Sequence, residues 1–345
     1  MDQRRNAPGG QVTNGIELRA FGKTDLRVSV IGFGAWGIGG PAMAGTMPIG
    51  WGDVDDAVSM KALRRSLDRG INFFDTADFY GLGHSEELIG EVFGDRSDIV
   101  VATKVGHRLN RDGSITLDYS KKHILNACEQ SLRRLRRATI DYYQLHSAGV
   151  AHLQQGECVE AMELLKAQGK IRYWGISLST FHPEPEAEFL LQHAQGDGFQ
   201  VVVNIINQRA IPLMRRAHQQ GYGIIARMPL QFGLLTGKFS SATRFGANDH
   251  RSFRLTPSIL EHALMHLENV WPLADKYNIS KTSLGLSFCA SIPEVSTVIP
   301  GIKTPEQVDM NTSGILSLSE EDREWLAELY RQELHEVVEM MEQQG

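Results

Sequence analysis

Residues 71–80 read Ile-Asn-Phe-Phe-Asp-Thr-Ala-Asp-Phe-Tyr, an apolar β run that breaks abruptly into polar residues, with Gly81 directly behind. Ile71, Phe73 and Phe74 supply the run, and Asp75, Thr76, Ala77, Asp78 and Tyr80 follow it. A buried strand that ends in a carboxylate and a phenol is the pattern of a site at a strand's C-terminal end. Two later strands close in the same way. Ile99 to Thr103 delivers Lys104, and Tyr142 to Leu145 delivers His146. Three successive strands therefore present a carboxylate, a phenol, an ammonium and an imidazole at corresponding ends.

Outward from this stretch the chain repeats one unit, a short apolar strand followed by an amphipathic helix. The strands are Val30 to Phe33, Ile71 to Phe74, Ile99 to Thr103, Tyr142 to Leu145, Ile171 to Ile176, Gln200 to Val203, Tyr222 to Ala226 and Ser296 to Ile299. Helices fill the gaps, the clearest being Asp55 to Arg69, Ser85 to Val92, Ser120 to Arg137, Gly156 to Gln168, Glu184 to His193, Pro212 to Gln220 and Thr304 to Met310. Alternation of this kind predicts an α/β fold, a single-domain (β/α)8 TIM barrel. Glu17 to Phe21 and Leu26 to Val28, joined by Gly22-Lys23-Thr24-Asp25, predict an N-terminal β-hairpin ahead of it. Met228 to Val295 is too long for one crossover, so extra helices are expected there (Thr256 to Tyr277, Ser280 to Ser291). A terminal helix is expected from Ser319 to about Gln343. Residues 1–16 read as a mobile leader and 17–345 as the barrel domain.

Composition narrows the function classes. The 345 residues carry 42% hydrophobic residues, enough for a large core, and a formal charge of −6, which gives no general attraction to nucleic acid or acidic membranes. Cys128, Cys158 and Cys289 are odd in number and widely spaced, so they read as buried small residues of a reducing, cytoplasmic compartment. The leader has no apolar core of a signal peptide, and no run of about 18 apolar residues spans a membrane. No metal is expected. His262 and His266 have ligand spacing on a helix but lack the Glu of H-E-x-x-H, and they read as surface histidines. Arg133, Arg134, Arg136 and Arg137 read as the solvated face of an amphipathic helix.

Asp75, Tyr80, Lys104 and His146 together make a proton-transfer device. A free phenol has a pKa of roughly 10 and is a poor acid at neutral pH. An ammonium about 4 Å away contributes on the order of 4 kcal/mol at an effective dielectric of about 20, enough to bring the phenol down towards neutrality. Asp75 would hold Lys104 charged and in place, and His146 would orient the substrate oxygen or share its proton. A second feature lies at the end of the last strand. Thr304 is a good N-cap and Pro305 sits at the first helical position, so a helix begins directly after Lys303. A helix N-terminus beside a cation, after barrel strand eight, is a ready phosphate site.

With FDTADFYG at one strand and ATK and QLH at the next two, the chain resembles the aldo-keto reductase family from Leu26 through Asn311. The resemblance implies a tetrad of Asp75, Tyr80, Lys104 and His146. Hydride would pass between a nicotinamide and the carbonyl carbon of an aldehyde or ketone, with Tyr80 as general acid and base. It also implies a cofactor lying across the barrel mouth. Ser177 and Asn204 fall near the carboxamide; Arg227, Pro229, Leu230, Gly233 and Lys238 lie in the stretch that resembles the A-Y-S-P-L and L-T-G-K segments; Gly301, Lys303, Gln307 and Asn311 match the adenosine-phosphate segment. Lys303 favours NADP (NADPH), and NAD also fits. Arg227 and Met228 depart from the family, which commonly has an aromatic ring and a serine there. Gln307 replaces a frequent arginine, Leu178 a polar residue, and Ser147-Ala148-Gly149 an R-x-D. Some relatives of this fold serve as cofactor-binding, non-catalytic channel partners, which makes a regulatory subunit the alternative. An isomerase or lyase without nicotinamide is a further rival.

Gly32-Phe33-Gly34-Ala35-Trp36-Gly37 fits G-x-G-x-x-G, the dinucleotide fingerprint, but no helix opens at Gly37 and no acidic residue follows at the right distance. These glycines instead let a loop pass close to a ligand, with Trp36 as a candidate contact and Trp51 as a further wall residue. The partner expected is a small carbonyl or alcohol substrate, without nucleic acid or membrane.

Overall fold

Eight parallel strands hydrogen-bond in sequence order in the computed structural model, which describes residues 12–13, 15–44, 47–50, 52–246 and 249–344. We label them β1 (Phe33–Gly34), β2 (Phe73–Asp75), β3 (Val100–Val105), β4 (Ile140–His146), β5 (Ile171–Ser177), β6 (Gly198–Val202), β7 (Gly223–Arg227) and β8 (Thr297–Ile299). The sheet closes on itself through parallel bridges Ile31 to Val298 and Gly34 to Gly301, so the barrel expected from the alternating pattern is present. The helices α1 (Asp56–Asp68), α2 (His84–Phe93), α3 (Lys121–Leu135), α4 (Glu157–Ala167), α5 (Glu184–Gln192), α6 (Ile211–Gln219), α7 (Lys281–Ser291) and α8 (Pro305–Thr312) form the outer layer. Asp55, Ser120, Ser280 and Thr304 cap α1, α3, α7 and α8 with side-chain oxygens, as short polar residues before an apolar face do.

Strand periodicity explains the interior. Phe73, Val100, Ala102, Tyr142, Ile225 and Ile299 point inward and pack against Phe21, Leu26 and Val28 of the N-terminal hairpin (Ile16–Ala20 with Arg27–Ser29). The hairpin thus plugs one end. A Cβ at Gly198 or Gly223 would come within 2.9 or 2.7 Å of the Phe21 ring, so only glycine leaves room for the plug. The larger apolar layer lies between strands and helices.

Several boundaries differ from the sequence reading. A hairpin, His107–Leu109 with Ile115–Leu117, follows β3, and a short helix, Val150–Gln155, occupies the loop after β4. The stretch expected as one helix from Thr256 to Tyr277 is two, Pro257–Leu267 and Pro272–Tyr277, because Pro272 cannot continue the hydrogen-bond ladder. The terminal helix runs Glu320–Leu329, a π turn at Tyr330–Leu334, then His335–Gln344. Arg133 and Arg136 are exposed as expected, whereas Arg134 and Arg137 are not a solvated face: they turn in to Glu86 (2.7 Å) and Asp141 (3.0 Å). All three cysteines are free and buried. No helix among the described residues is long and apolar enough to cross a membrane. Trp51 and most of residues 1–16, the stretch expected as a leader, lie outside the described residues.

Candidate active site

Inward-pointing residues one layer above the apolar plug are polar. Asp75 ends β2, Lys104 lies near the end of β3, and Gln144 and Gln200 project from β4 and β6; all four are buried. The Asp75 carboxylate accepts from Lys104 Nζ at 2.6 Å on one oxygen and from Gln144 Nε2 (3.1 Å) and Gln200 Nε2 (2.7 Å) on the other. Lys104 Nζ also donates to the Thr76 carbonyl (2.8 Å) and to Tyr80 Oη (3.3 Å). Every N–H of the ammonium therefore has an acceptor, and the last one is the phenol. Burial alone would push the Lys104 pKa down, but the charges and hydrogen bonds of Asp75 and Tyr80 outweigh it and hold the pKa above its ordinary value.

Tyr80 stands at the start of a turn, Tyr80–Gly83, and is only partly covered. Burial raises its pKa; the Lys104 charge opposes this and Asp75 adds to it, so the phenol stays above its ordinary value of 10.0. This corrects the sign expected from the ammonium alone, because the desolvation that makes Lys104 effective also penalises the phenolate. His146, at the end of β4, is edge-on to the Tyr80 ring at 5.9 Å between centroids. Burial, then His107, Lys104 and Arg227, hold its pKa well below 6.5, so it is neutral at pH 7 and its tautomer is set by what it meets. The four residues expected to converge are together.

The rim brings in some of the other expected residues. Trp36 stacks on Tyr80 (6.0 Å, 25°) and donates from Nε1 to the Ile49 carbonyl. Arg227 ends β7 and donates to the Leu178 carbonyl (2.9 Å) and Thr180 Oγ1 (3.2 Å), with its charge felt at Tyr80. Ser177 is buried at the end of β5, paired in register with His146. Asn204 is fully engaged inside the protein: Nδ2 donates to Met228 O and Gln231 Oε1, and Oδ1 accepts from the N–H groups of Ile206 and Asn207. Pro229 is buried and Leu230 half-buried, and Gly233 adopts φ +98° in the turn that follows, against Phe239. Lys238 is exposed beyond that turn.

At the seam, Gly301 pairs with Gly34, and α8 starts with Thr304 accepting from the Gln307 N–H. The Gln307 side chain folds back to accept from Lys303 N at 2.6 Å, and Asn311 is buried one turn on. Lys303 is half-buried, its stem against Gly37. Its pKa is lowered by burial and then by the nearby Arg251. Arg251 is itself paired with Asp249.

Sequence reading missed Gln144, Gln200, His107 and Arg251. The glutamines carried a signal: each lies two residues from another inward position on its strand, so the period of two places it in the barrel. His107 lies 4.4 Å from His146 between ring centroids, brought there by the hairpin after β3.

The chain matches the sequence pattern of the aldo/keto reductase family over residues 30–331. It is 29% identical over 322 residues to the probable voltage-gated potassium channel subunit beta of Arabidopsis thaliana (87% of this chain, 91% of that one). It is 29% identical over 327 residues to the uncharacterized oxidoreductase YqkF of Bacillus subtilis (93% and 98%). It is 28% identical over 330 residues to the L-galactose dehydrogenase of Arabidopsis thaliana (91% and 93%). Among solved structures it resembles the holo form of aldo-keto reductase AKR11C1 from Bacillus halodurans (TM-score 0.72, 28% identity, 91% of this chain and 96% of that one). It also resembles the glycerol dehydrogenase AKR11B4 from Gluconobacter oxydans (TM-score 0.77, 26% identity, 92% and 95%).

Proposed function

The chain belongs to the aldo/keto reductase family of oxidoreductases, and from that premise we propose that it interconverts an aldehyde or ketone and an alcohol with a nicotinamide dinucleotide, NADP(H) ahead of NAD(H). The observation that carries this reading is Lys104 Nζ, held at 2.6 Å by Asp75 and 3.3 Å from Tyr80 Oη beside a neutral His146. Tyr80 is a protonated phenol at neutral pH and gives its proton to the carbonyl oxygen. Lys104 stabilises the phenolate left behind, and Asp75 keeps Lys104 charged. Neutral His146 orients the oxygen without adding a second charge. In the reverse direction Tyr80 takes the alcohol proton with the same help.

Two features of the residues fit the cofactor. Arg227 Nε and His146 Nδ1 are buried at the mouth without an intramolecular hydrogen-bond partner. At the seam, Lys303 and Arg251 share one electrostatic neighbourhood beside the N-terminus of α8, which suits a phosphate. The nicotinamide would supply or accept the hydride. Arg227, Ser177 and Trp36 would hold that end, and Gly301, Lys303, Gln307 and Asn311 the adenosine end. Asn204, with its amide already bonded, would act by fixing Met228 and Gln231. Pro229, Leu230 and Gly233 would shape the turn between the two ends, with Lys238 at its exposed exit. Arg251 stands beside Lys303 where Gln307 supplies no charge, and it would meet a 2′-phosphate by turning from its partner Asp249.

The names of the potassium channel beta relatives support a second reading, a cofactor-binding partner subunit. The assay that separates them is loss of NADPH absorbance on adding a small aromatic aldehyde, repeated with NADH. Turnover is expected, faster at low concentration with NADPH. Tight NADPH binding with no turnover of any carbonyl or alcohol would leave only the partner reading.

A further inference from the structure

We propose that His262, His266 and Glu336 bind a borderline divalent transition-metal ion, Zn2+ being the natural probe, which pins the terminal helix to the helix inserted between β7 and β8. His262 and His266 are four residues apart on the helix Pro257–Leu267 and so share a face; their ring centroids are 4.6 Å apart. Glu336 comes from the last helix, His335–Gln344, and its Oε2 lies 3.3 Å from His262 Nε2 without the alignment of a hydrogen bond. One nitrogen of each imidazole and a Glu336 oxygen lie within 4.8 Å of one another.

The surroundings suit a metal better than a closed polar cluster. His266 Nδ1 is 2.9 Å from Glu333 Oε2, which also accepts from Asn269 Nδ2 at 2.9 Å. That contact puts the ring hydrogen on Nδ1 and leaves the lone pair on Nε2, the carboxylate–imidazole arrangement that orients a metal ligand. His266 Nε2 is buried and has no hydrogen-bond partner. Two neutral imidazoles with two carboxylates, Glu336 on the ion and Glu333 behind it, also match a charge of +2. Imidazole donors select Zn2+, Ni2+, Co2+ or Cu2+ over Ca2+ and Mg2+. With bonds of about 2.0–2.1 Å, tetrahedral donors stand roughly 3.3 Å apart. His262 Nε2 and Glu336 Oε2 already stand at that spacing, and Glu336 is exposed. Two residues before Glu336 ends the π turn Tyr330–Leu334, a feature that clusters at functional sites. Further along this helix Met341 accepts from Gln231, whose amide oxygen accepts from Asn204, so steadying the helix steadies a wall of the barrel mouth.

The test uses the full chain, stripped with a chelator and titrated with ZnCl2 against a chromophoric chelator, and with CoCl2 followed by its visible absorption. One ion per chain is expected. His262→Ala and His266→Ala should each weaken Zn2+ binding at least about tenfold, and Glu333→Gln should weaken it by roughly tenfold through the oriented imidazole. Zn2+ should raise the Tm of the unaltered chain and leave that of His262→Ala unmoved. The inference is overturned if stoichiometric binding is absent, or if it survives unchanged in His262→Ala and His266→Ala. Should His266→Ala fail to fold, the less buried His262→Gln and Glu336→Gln decide by the same two readouts.

Discussion

Asp75 and Asp141 sit at opposite ends of the barrel, and each buried carboxylate collects three donors. Asp75 takes Lys104, Gln144 and Gln200. Asp141 takes Arg137 Nη2 (3.0 Å), the Val101 N–H (2.9 Å) and Arg172 Nη1 (3.0 Å). What separates them is where the cations spend their remaining N–H groups. Arg137 turns its others to the carbonyls of Arg96, Thr139 and Gly94, and Arg172 reaches Asp25 of the hairpin. That end is locked, and the cleft it lines has its arginines already paired. Lys104 spends its last donor on Tyr80, which can lose a proton. A buried ion pair becomes chemistry when the spare donor faces a titratable group at the open end, and stays architecture when it faces backbone.

The largest expected effect tests that distinction at the open end. Tyr80→Phe should lower kcat for carbonyl reduction by about 10²–10⁴-fold while NADPH affinity holds, since the ring and its stack on Trp36 remain; the lost acceptor of Lys104 should cost about 1–3 kcal/mol of stability. At the locked end, Asp141→Ala leaves Arg137 with its side chain only 6% exposed and uncompensated, so stability should fall by about 3–5 kcal/mol in urea unfolding. The folded fraction should turn over substrate at the unaltered rate. A fall in kcat comparable to that of Tyr80→Phe would break the comparison. Gln200→Leu is intermediate. It removes one of two donors to Asp75 Oδ2, so stability should drop by about 1–3 kcal/mol, with a loss of kcat smaller than that of Tyr80→Phe.

How much of this was legible depended on whether a feature was local. The barrel was legible because each unit announces itself through a strand's apolar run and a helix's cap, and Thr304-Pro305 marked the start of α8 by a local rule. Asp75, Lys104 and His146 were legible as polar residues at strand ends. The hairpin that carries His107 was not, because its three-residue strands are too short to show a period. The inward turn of Arg134 and Arg137 depends on Glu86 and Asp141, which are distant or on another element. The direction of the Tyr80 shift was also out of reach, since it is the difference between a charge that sequence names and a burial that only packing sets.

The smallest expected effect separates the two ends by pH. Burial holds His146 well below its ordinary 6.5 in the folded protein, with His107 lowered in the same way. As pH falls below about 6.5 the unfolded chain gains a proton at each position that the folded chain does not. Stability is therefore complete above that pH and declines as pH falls towards the folded values, by at most about 1.4 kcal/mol per pH unit for each histidine. His146→Gln should remove its share of the slope in Tm between pH 6.5 and 5, and Asp141→Ala should leave that slope as it is, because no histidine is among the groups bonded to Asp141. An unchanged slope in His146→Gln would mean that the imidazole takes up its proton in the folded state as readily as in the unfolded one. Burial would then not be what keeps it neutral, and the basis of the neutral orienting role assigned to it would fall.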